Sequence, residues 1–151
     1  MKRLVVLGGG ESGVGAAILG KVKGMDVFLS DMGTIAPHYR KMLDDEGIAW
    51  EDNQHTESRI LAADEVVKSP GIPPTAPIMR RIASKNIPVI SEIEFAGRYT
   101  DAKMVCITGS NGKTTTTYLI RQILMLKGTR CDLIGTNQII IGDEEIESSR
   151  T

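Results

Sequence analysis

The sequence predicts an α/β chain built on a parallel sheet, and three observations carry that prediction. Short apolar runs, such as Leu4-Val5-Val6-Leu7 and Val27-Phe28-Leu29, alternate with longer helical stretches, the pattern of strands buried on both faces. The first run flows into Gly8-Gly9-Gly10-Glu11-Ser12-Gly13, where Gly8, Gly10 and Gly13 satisfy G-x-G-x-x-G. Asp31 then ends the next run, 18 residues after Gly13, against a usual spacing of about 20 for a ribose-binding acid. A second glycine loop, Thr108-Gly109-Ser110-Asn111-Gly112-Lys113-Thr114-Thr115, lies between the apolar run Met104–Ile107 and a long helical pattern.

In order, Arg3 to Leu7 reads as a buried strand, Ser12 to Lys23 as a helix and Asp26 to Ser30 as the second strand. This strand, loop, helix, strand and acid make a Rossmann-like unit. It suits a dinucleotide, another nucleotide, or a purely structural βαβ role. Ile35 to Gly47 is an amphipathic helix candidate with Pro37 in its first turn and Gly47 at its C-cap. Ile48 to Glu51 is a short strand; His55 and Thr56 follow in a turn. His55 and His38 read as surface or capping residues rather than catalysts.

Ala62 to Lys68 leads as a strand into Ser69-Pro70-Gly71. That strand delivers the turn to the C-terminal edge of the sheet, where open α/β sheets bind ligands. Gly71 lets the backbone come close to a ligand and Pro70 fixes the approach; the same residues also make a tight strand-to-helix turn. Thr75 to Lys85 is a helix with Pro77 in its first turn and Asn86 at its C-cap. Ile87 to Ile90 is the next strand. Glu92 and Glu94 read either as helix-start charges or as ligand-side contacts. Thr100 to Lys103 is a linker.

The run Met104–Ile107 then reads as a buried strand, followed by the glycine loop and a helix from Thr115 to Lys127, closed by Gly128. Strand, glycine loop and helix form a phosphate-binding P-loop. Loop N–H groups and the helix dipole favour an anion there, Lys113 can neutralise β/γ-phosphates, and the Thr114 hydroxyl can reach Mg²⁺. The general pattern wants Gly where Ile107 stands, so this is a shorter variant. Cys131 to Asn137 follows as strand and loop. Ile139–Ile141 and Gly142–Ile146 read as a β-hairpin, and Glu144, Glu145 and Glu147 as a solvated acidic edge.

The formal net charge of −1 gives no reason to expect nucleic acid or a membrane surface as partner. Cys106 and Cys131 lack metal spacing and read as reduced thiols. The apolar run after Met1-Lys2-Arg3 is too short for a signal peptide, and no stretch is long enough to span a membrane, so the cytoplasm is the expected compartment.

The Thr-Gly-Ser-Asn-Gly-Lys-Thr loop resembles that of the Mur ligase family, ATP-dependent amino-acid ligases of peptidoglycan synthesis. The segments Ala63-Asp64-Glu65-Val66-Val67-Lys68-Ser69-Pro70-Gly71-Ile72 and Glu92-Ile93-Glu94-Phe95 resemble its D-glutamate-adding members. The resemblance implies a Rossmann-like UDP-substrate-binding domain over 1–99, a linker over 100–103 and a truncated P-loop ATPase domain over 104–151.

It further implies that the UDP part of the substrate meets Gly10, Glu11, Ser12, Gly13, Asp31, Ser69, Pro70, Gly71 and Asn137. ATP would meet Gly109, Ser110, Asn111, Gly112, Lys113, Thr114 and Thr115, with Lys113 and Thr114 catalytic and Thr114 on Mg²⁺. UDP-N-acetylmuramoyl-L-alanine and D-glutamate would be the substrates, joined through an acyl-phosphate. Met32-Gly33 follow Asp31 where many members carry Thr or Ser and then Arg or Lys, which removes the basis for carrying over side-chain contacts past Asp31.

From Leu133 onward, Ile134-Gly135-Thr136-Asn137-Gln138 and the segment to Arg150-Thr151 resemble instead a diamino-acid-adding member. A lineage of mixed features and a recombined chain both explain this, the second favoured slightly. The sequence stops inside a family motif, and further metal ligands and the amino-acid-bringing domain are absent. The expectation is therefore a half-enzyme that does not complete the reaction. A non-catalytic nucleotide-binding fragment is the rival reading. Residues 104–151 are expected to expose apolar surface and to self-associate.

Overall fold

The structure is a computed structural model, and it describes residues 1–107, 111–135, 139–142 and 144–146. The chain divides into two compact units, Met1–Asp101 and Ala102–Thr151.

The first unit is a doubly wound α/β domain. Its elements are β1 (Arg3–Leu7), α1 (Glu11–Val22), β2 (Asp26–Ser30), α2 (Pro37–Asp45), β3 (Ala49–Glu51), α3 (Glu57–Ile60), β4 (Glu65–Lys68), α4 (Pro77–Ser84), β5 (Val89–Ser91) and α5 (Glu92–Gly97). The five strands are all parallel, in the order β3-β2-β1-β4-β5. The strand order reverses between β1 and β4, and in open α/β sheets ligands bind outside the carboxyl ends at that switch point.

Alternation along β1 explains why its apolar run has no polar partner residues. Leu4 and Val6 point into a core with Val14 and Ala17 of α1, Leu43 of α2 and Phe95 of α5. Val5 and Leu7 point into a second core with Ile60 of α3 and Ile78, Met79 and Ile82 of α4. All four β1 side chains are fully buried, so the strand must be apolar on both faces. Two helix ends behave as their residues dictate: Gly47 and Asn86 both take positive φ, +61° and +55°, after α2 and α4. Ser91 caps α5 by accepting from the Glu94 N–H at 3.1 Å. Glu92 and Glu94 both stand in the first turn of α5, with Glu92 buried and Glu94 exposed. The short α3 has no counterpart in the sequence expectations.

The second unit holds α6 (Lys113–Leu126) and a three-stranded sheet of β6 (Leu133–Ile134), β7 (Ile139–Ile141) and β8 (Glu144–Ile146), antiparallel throughout. The β7–β8 hairpin forms as expected, with Gly142 at φ +62°. Arg121 on α6 anchors the sheet by donating to the carbonyls of Cys131 (3.1 Å) and Gly142 (3.0 Å).

The expected strand at Met104–Ile107 does not form. These residues are irregular, and Met104 and Val105 are each 61% exposed. A strand is stable only with a neighbour to bond, and the described strands of this unit pair only with one another. Cys106 is accordingly exposed rather than buried, and both cysteines are free thiols. Among the described residues no helix is long and apolar enough to cross a membrane, and no cluster of metal-ligating side chains occurs.

Candidate functional site

At the carboxyl edge of the parallel sheet, the loops after β1, β2, β3 and β4 are tied together by short contacts. Gly8 leaves β1 at φ +114°, a conformation L side chains rarely adopt, and a Cβ there would sit 2.7 Å from the Cβ of Ser69. Its N–H donates to the Ser30 carbonyl (3.0 Å), while the Ser69 N–H donates to the Leu7 carbonyl (2.9 Å). A Cβ on Gly13 would run into the carbonyl oxygen of Gly8. Gly13 is therefore the residue that lets α1 pack closely on β1.

Gly10 differs from both. A Cβ at Gly10 would meet nothing within 4 Å. It is the N-cap of α1 and no side chain caps that end, leaving first-turn N–H groups aimed outward at the switch point. Glu11 opens the helix, and the Ser12 hydroxyl donates to buried Glu92 at 3.1 Å. The two helix starts on the β1 and β5 edges are thereby joined. Pro70 and Gly71 are exposed in the turn after β4. Beneath it Lys68 donates to the carbonyls of Ser69 (2.9 Å) and Ile72 (2.8 Å), which fixes the turn with those carbonyls facing the lysine.

Asp31 is committed to backbone. One carboxylate oxygen accepts from the Gly9 N–H and the other from the Gly33 N–H at 2.6 Å. Its own carbonyl accepts from the Gln54 N–H at 3.3 Å. The acid that spacing singles out thus works as a clasp between the glycine loop and the β2–α2 loop.

Sequence reasoning missed a buried polar cluster beside it. Ser30, fully buried, donates to Glu51 at 2.7 Å and lies 2.7 Å from His55 Nδ1. Glu51 also accepts from the Thr56 N–H (2.7 Å) and hydroxyl. Burial pushes the Glu51 carboxyl up, but the bonds from Thr56 and Ser30 outweigh it, leaving the group below its ordinary value. Burial pushes His55 down, against the pull of Glu51 and Asp31. The available signal was positional: Ser30 and Glu51 end adjacent parallel strands, where a polar residue in an otherwise apolar run marks the functional edge.

In the second unit, Gly112 takes φ +76° and forms the N-cap of α6 without a side-chain cap. Asn111, Lys113, Thr114 and Thr115 stand exposed around that end. The Thr117 hydroxyl bonds back to the Lys113 carbonyl at 2.7 Å. Gly109, Ser110 and Asn137 lie outside the described residues, as does Glu147. A cleft of about 820 Å³ is lined by Met125, Gly128, Arg130, Cys131, Ile141 and Glu144 among others. It lies at the far end of α6 from Lys113 and includes none of the expected site residues.

Comparison with known proteins matches both parts of the chain. The description "Mur ligase MurD-like, N-terminal domain" matches residues 2–91, and "Mur ligase middle domain" matches 107–151. The chain is 64% identical over 135 residues to the UDP-N-acetylmuramoylalanine–D-glutamate ligase of Bacteroides fragilis, covering 89% of this chain and 30% of the relative. It is 58% identical over 132 residues to that of Porphyromonas gingivalis, covering 87% and 29%.

Among solved structures, a murein peptide ligase from Psychrobacter arcticus aligns over 85% of this chain and 27% of that one, with TM-score 0.64 and 23% identity. A pseudomurein peptide ligase type C from Methanothermus fervidus aligns over the same shares, with TM-score 0.57 and 34% identity. The chain spans about 30% of the length of the curated relatives it matches.

Proposed function

This chain belongs to the Mur ligase family, and on that footing we propose that it is part of an ATP-dependent ligase that adds D-glutamate to UDP-N-acetylmuramoyl-L-alanine. Residues 1–99 are the UDP-substrate-binding domain, 100–103 the linker, and 104–151 part of the ATP-binding domain. The observation that carries the reading is the uncapped Gly10 end of α1 at the switch point, in the loop whose Gly8 abuts Ser69, in a segment matched by the MurD-like N-terminal description.

The UDP diphosphate lies against the Gly10–Gly13 helix start, where N–H groups and the helix dipole stabilise its charge. Ser69, Pro70 and Gly71 bound it from β4. Glu11 opens the helix beside the diphosphate, and Ser12 is turned to Glu92 on the β5 side. Asp31 contributes by holding Gly9 and Gly33 in place, so its effect on UDP is through loop geometry.

The residues at the start of α6 fit a nucleoside triphosphate: a left-handed Gly112, no side-chain cap, and Lys113 and Thr114 at the exposed end. Gly109 to Thr115 would hold the ATP phosphates, with Thr114 on Mg²⁺. ATP supplies the phosphoryl group that activates the substrate carboxylate. Lys113 and the loop amides stabilise charge on it. The cytoplasm is the compartment in which these substrates would be met.

Calorimetric titration of the 151-residue chain with UDP, ATP·Mg²⁺ and NAD tests the reading. The expected result is UDP binding that Gly10→Val abolishes. NAD binding in place of UDP would replace the ligase reading with that of a dinucleotide domain.

A further inference from the structure

We propose that His55 is a nucleoside-contacting residue whose tautomer is fixed by Ser30 and Glu51, so that its Nε2 accepts a hydrogen bond from an N–H or O–H donor of the ligand. The inference rests on the UDP-site reading above and deepens it.

Donor and acceptor bookkeeping sets the tautomer. The Ser30 oxygen lies within bonding distance of three groups: Glu51 (2.7 Å), the Gln54 carbonyl (3.3 Å) and His55 Nδ1 (2.7 Å). The first two are acceptors, and the hydroxyl has one proton, which goes to the shorter Glu51 contact. With its proton spent there, Ser30 meets Nδ1 as an acceptor, so Nδ1 must carry the hydrogen. The relay runs Nδ1–H to Ser30, then Ser30 O–H to Glu51, and Thr56 holds Glu51 in register from its backbone N–H at 2.7 Å. In neutral His55 the remaining nitrogen, Nε2, is then a bare acceptor.

Nε2 has no partner among the described residues, and it is absent from the buried polar atoms without partners, so it opens to solvent. Its position suits a nucleoside. In a sheet of this order the nucleoside lies over the end of β2, and His55 is bonded to Ser30, the last residue of β2. Asp31, the usual acceptor at that place, has both oxygens engaged by Gly9 and Gly33. His55 supplies an acceptor where the acid is committed. Two donors of a uridine qualify: the imide N–H of the base and a ribose hydroxyl.

The test combines ¹⁵N spectroscopy of the imidazole with titration of wild type, His55→Phe and Ser30→Ala, each checked by thermal melting. Wild type is expected to show a protonated Nδ1 and an Nε2 resonance that moves on adding UDP. His55→Phe should weaken UDP binding about three- to tenfold, the worth of one neutral hydrogen bond, with the fold intact. A parallel loss with N3-methylated UDP on wild type assigns the imide as donor, and with 2′-deoxy-UDP the ribose. A bare Nδ1, or a wild type that binds UDP with an unmoved Nε2 and unchanged His55→Phe affinity, overturns the inference and leaves the UDP-site reading standing. A wild type that binds no UDP overturns both.

Discussion

The two units each present a glycine loop at the start of a helix, yet they support it in opposite ways. In the first, the loop is fastened from β2 through Asp31 and from β4 through Ser69, and α1 behind it buries Val14, Ala16 and Ala17. In the second, no described residue of α6 is buried, Leu119 and Ile123 are each 55% exposed, and Leu133 is the single buried hydrophobic among the described residues. Both helix starts lack a side-chain cap, so local chemistry alone makes either an anion site. What distinguishes them is the preorganisation that a packed sheet imposes. A loop held at each strand end loses little freedom when a ligand arrives.

The contrast breaks most sharply at glycine. Gly13→Ala drives a methyl into the Gly8 carbonyl and should destabilise the first unit by about 3 kcal/mol or more, at or past the upper range for overpacking, because backbone must move. Gly10→Ala, at ordinary φ and in open space, should leave the denaturation midpoint almost unchanged. Urea unfolding of the two variants side by side measures the difference. Equal midpoints would show that the close approach of α1 to β1 is not what holds the loop.

Core truncations come next. Leu7→Ala, fully buried between β1 and α4, should cost about 2–5 kcal/mol. Leu119→Ala on the exposed face of α6 should stay within about 0.5 kcal/mol. Followed by a probe in each unit, the first substitution should shift the first unit's transition alone.

Acid should act on the first unit through the Ser30 cluster. A histidine held below its ordinary value contributes stability that is complete above the unfolded value of 6.5 and is lost as pH falls through the folded value. Glu51, also held low, contributes stability that is complete above 4.5 and is lost as pH falls through its lower folded value. Stability should therefore fall in two stages below pH 6.5, and Glu51→Gln should remove the second. A smaller effect than the core truncation is expected of Lys68→Met, which frees the Ser69 and Ile72 carbonyls and should cost about 1–2 kcal/mol. It would be seen as faster amide exchange in the turn after β4.

The sheet was legible because a strand buried on both faces has to be a continuous apolar run, and Leu4–Leu7, Val27–Leu29 and Val66–Val67 are such runs. Gly47, Asn86 and Gly128 likewise announced helix ends through the positive φ they adopt. Met104–Ile107 misled for the same reason the others succeeded: an apolar run says that a strand would be buried if paired, and pairing is not written in the run. Four-residue α3 is too short to show a helical period. The spacing found Asp31 but not its partners, since the Gly9 and Gly33 amides reach it through tertiary geometry. His55 looked like a surface residue because the serine and glutamate that claim it lie 25 residues before and four residues before it, on two different strands.

The measurement that tests the central claim most directly is amide hydrogen exchange across the chain with and without saturating UDP. The account predicts added protection at Gly9–Gly13, at Gly33 and in the turn at 69–72, with residues 113–126 unchanged. Protection appearing at the start of α6 instead, or none anywhere despite bound UDP, would contradict the claim that the fastened loop of the first unit is the nucleotide site.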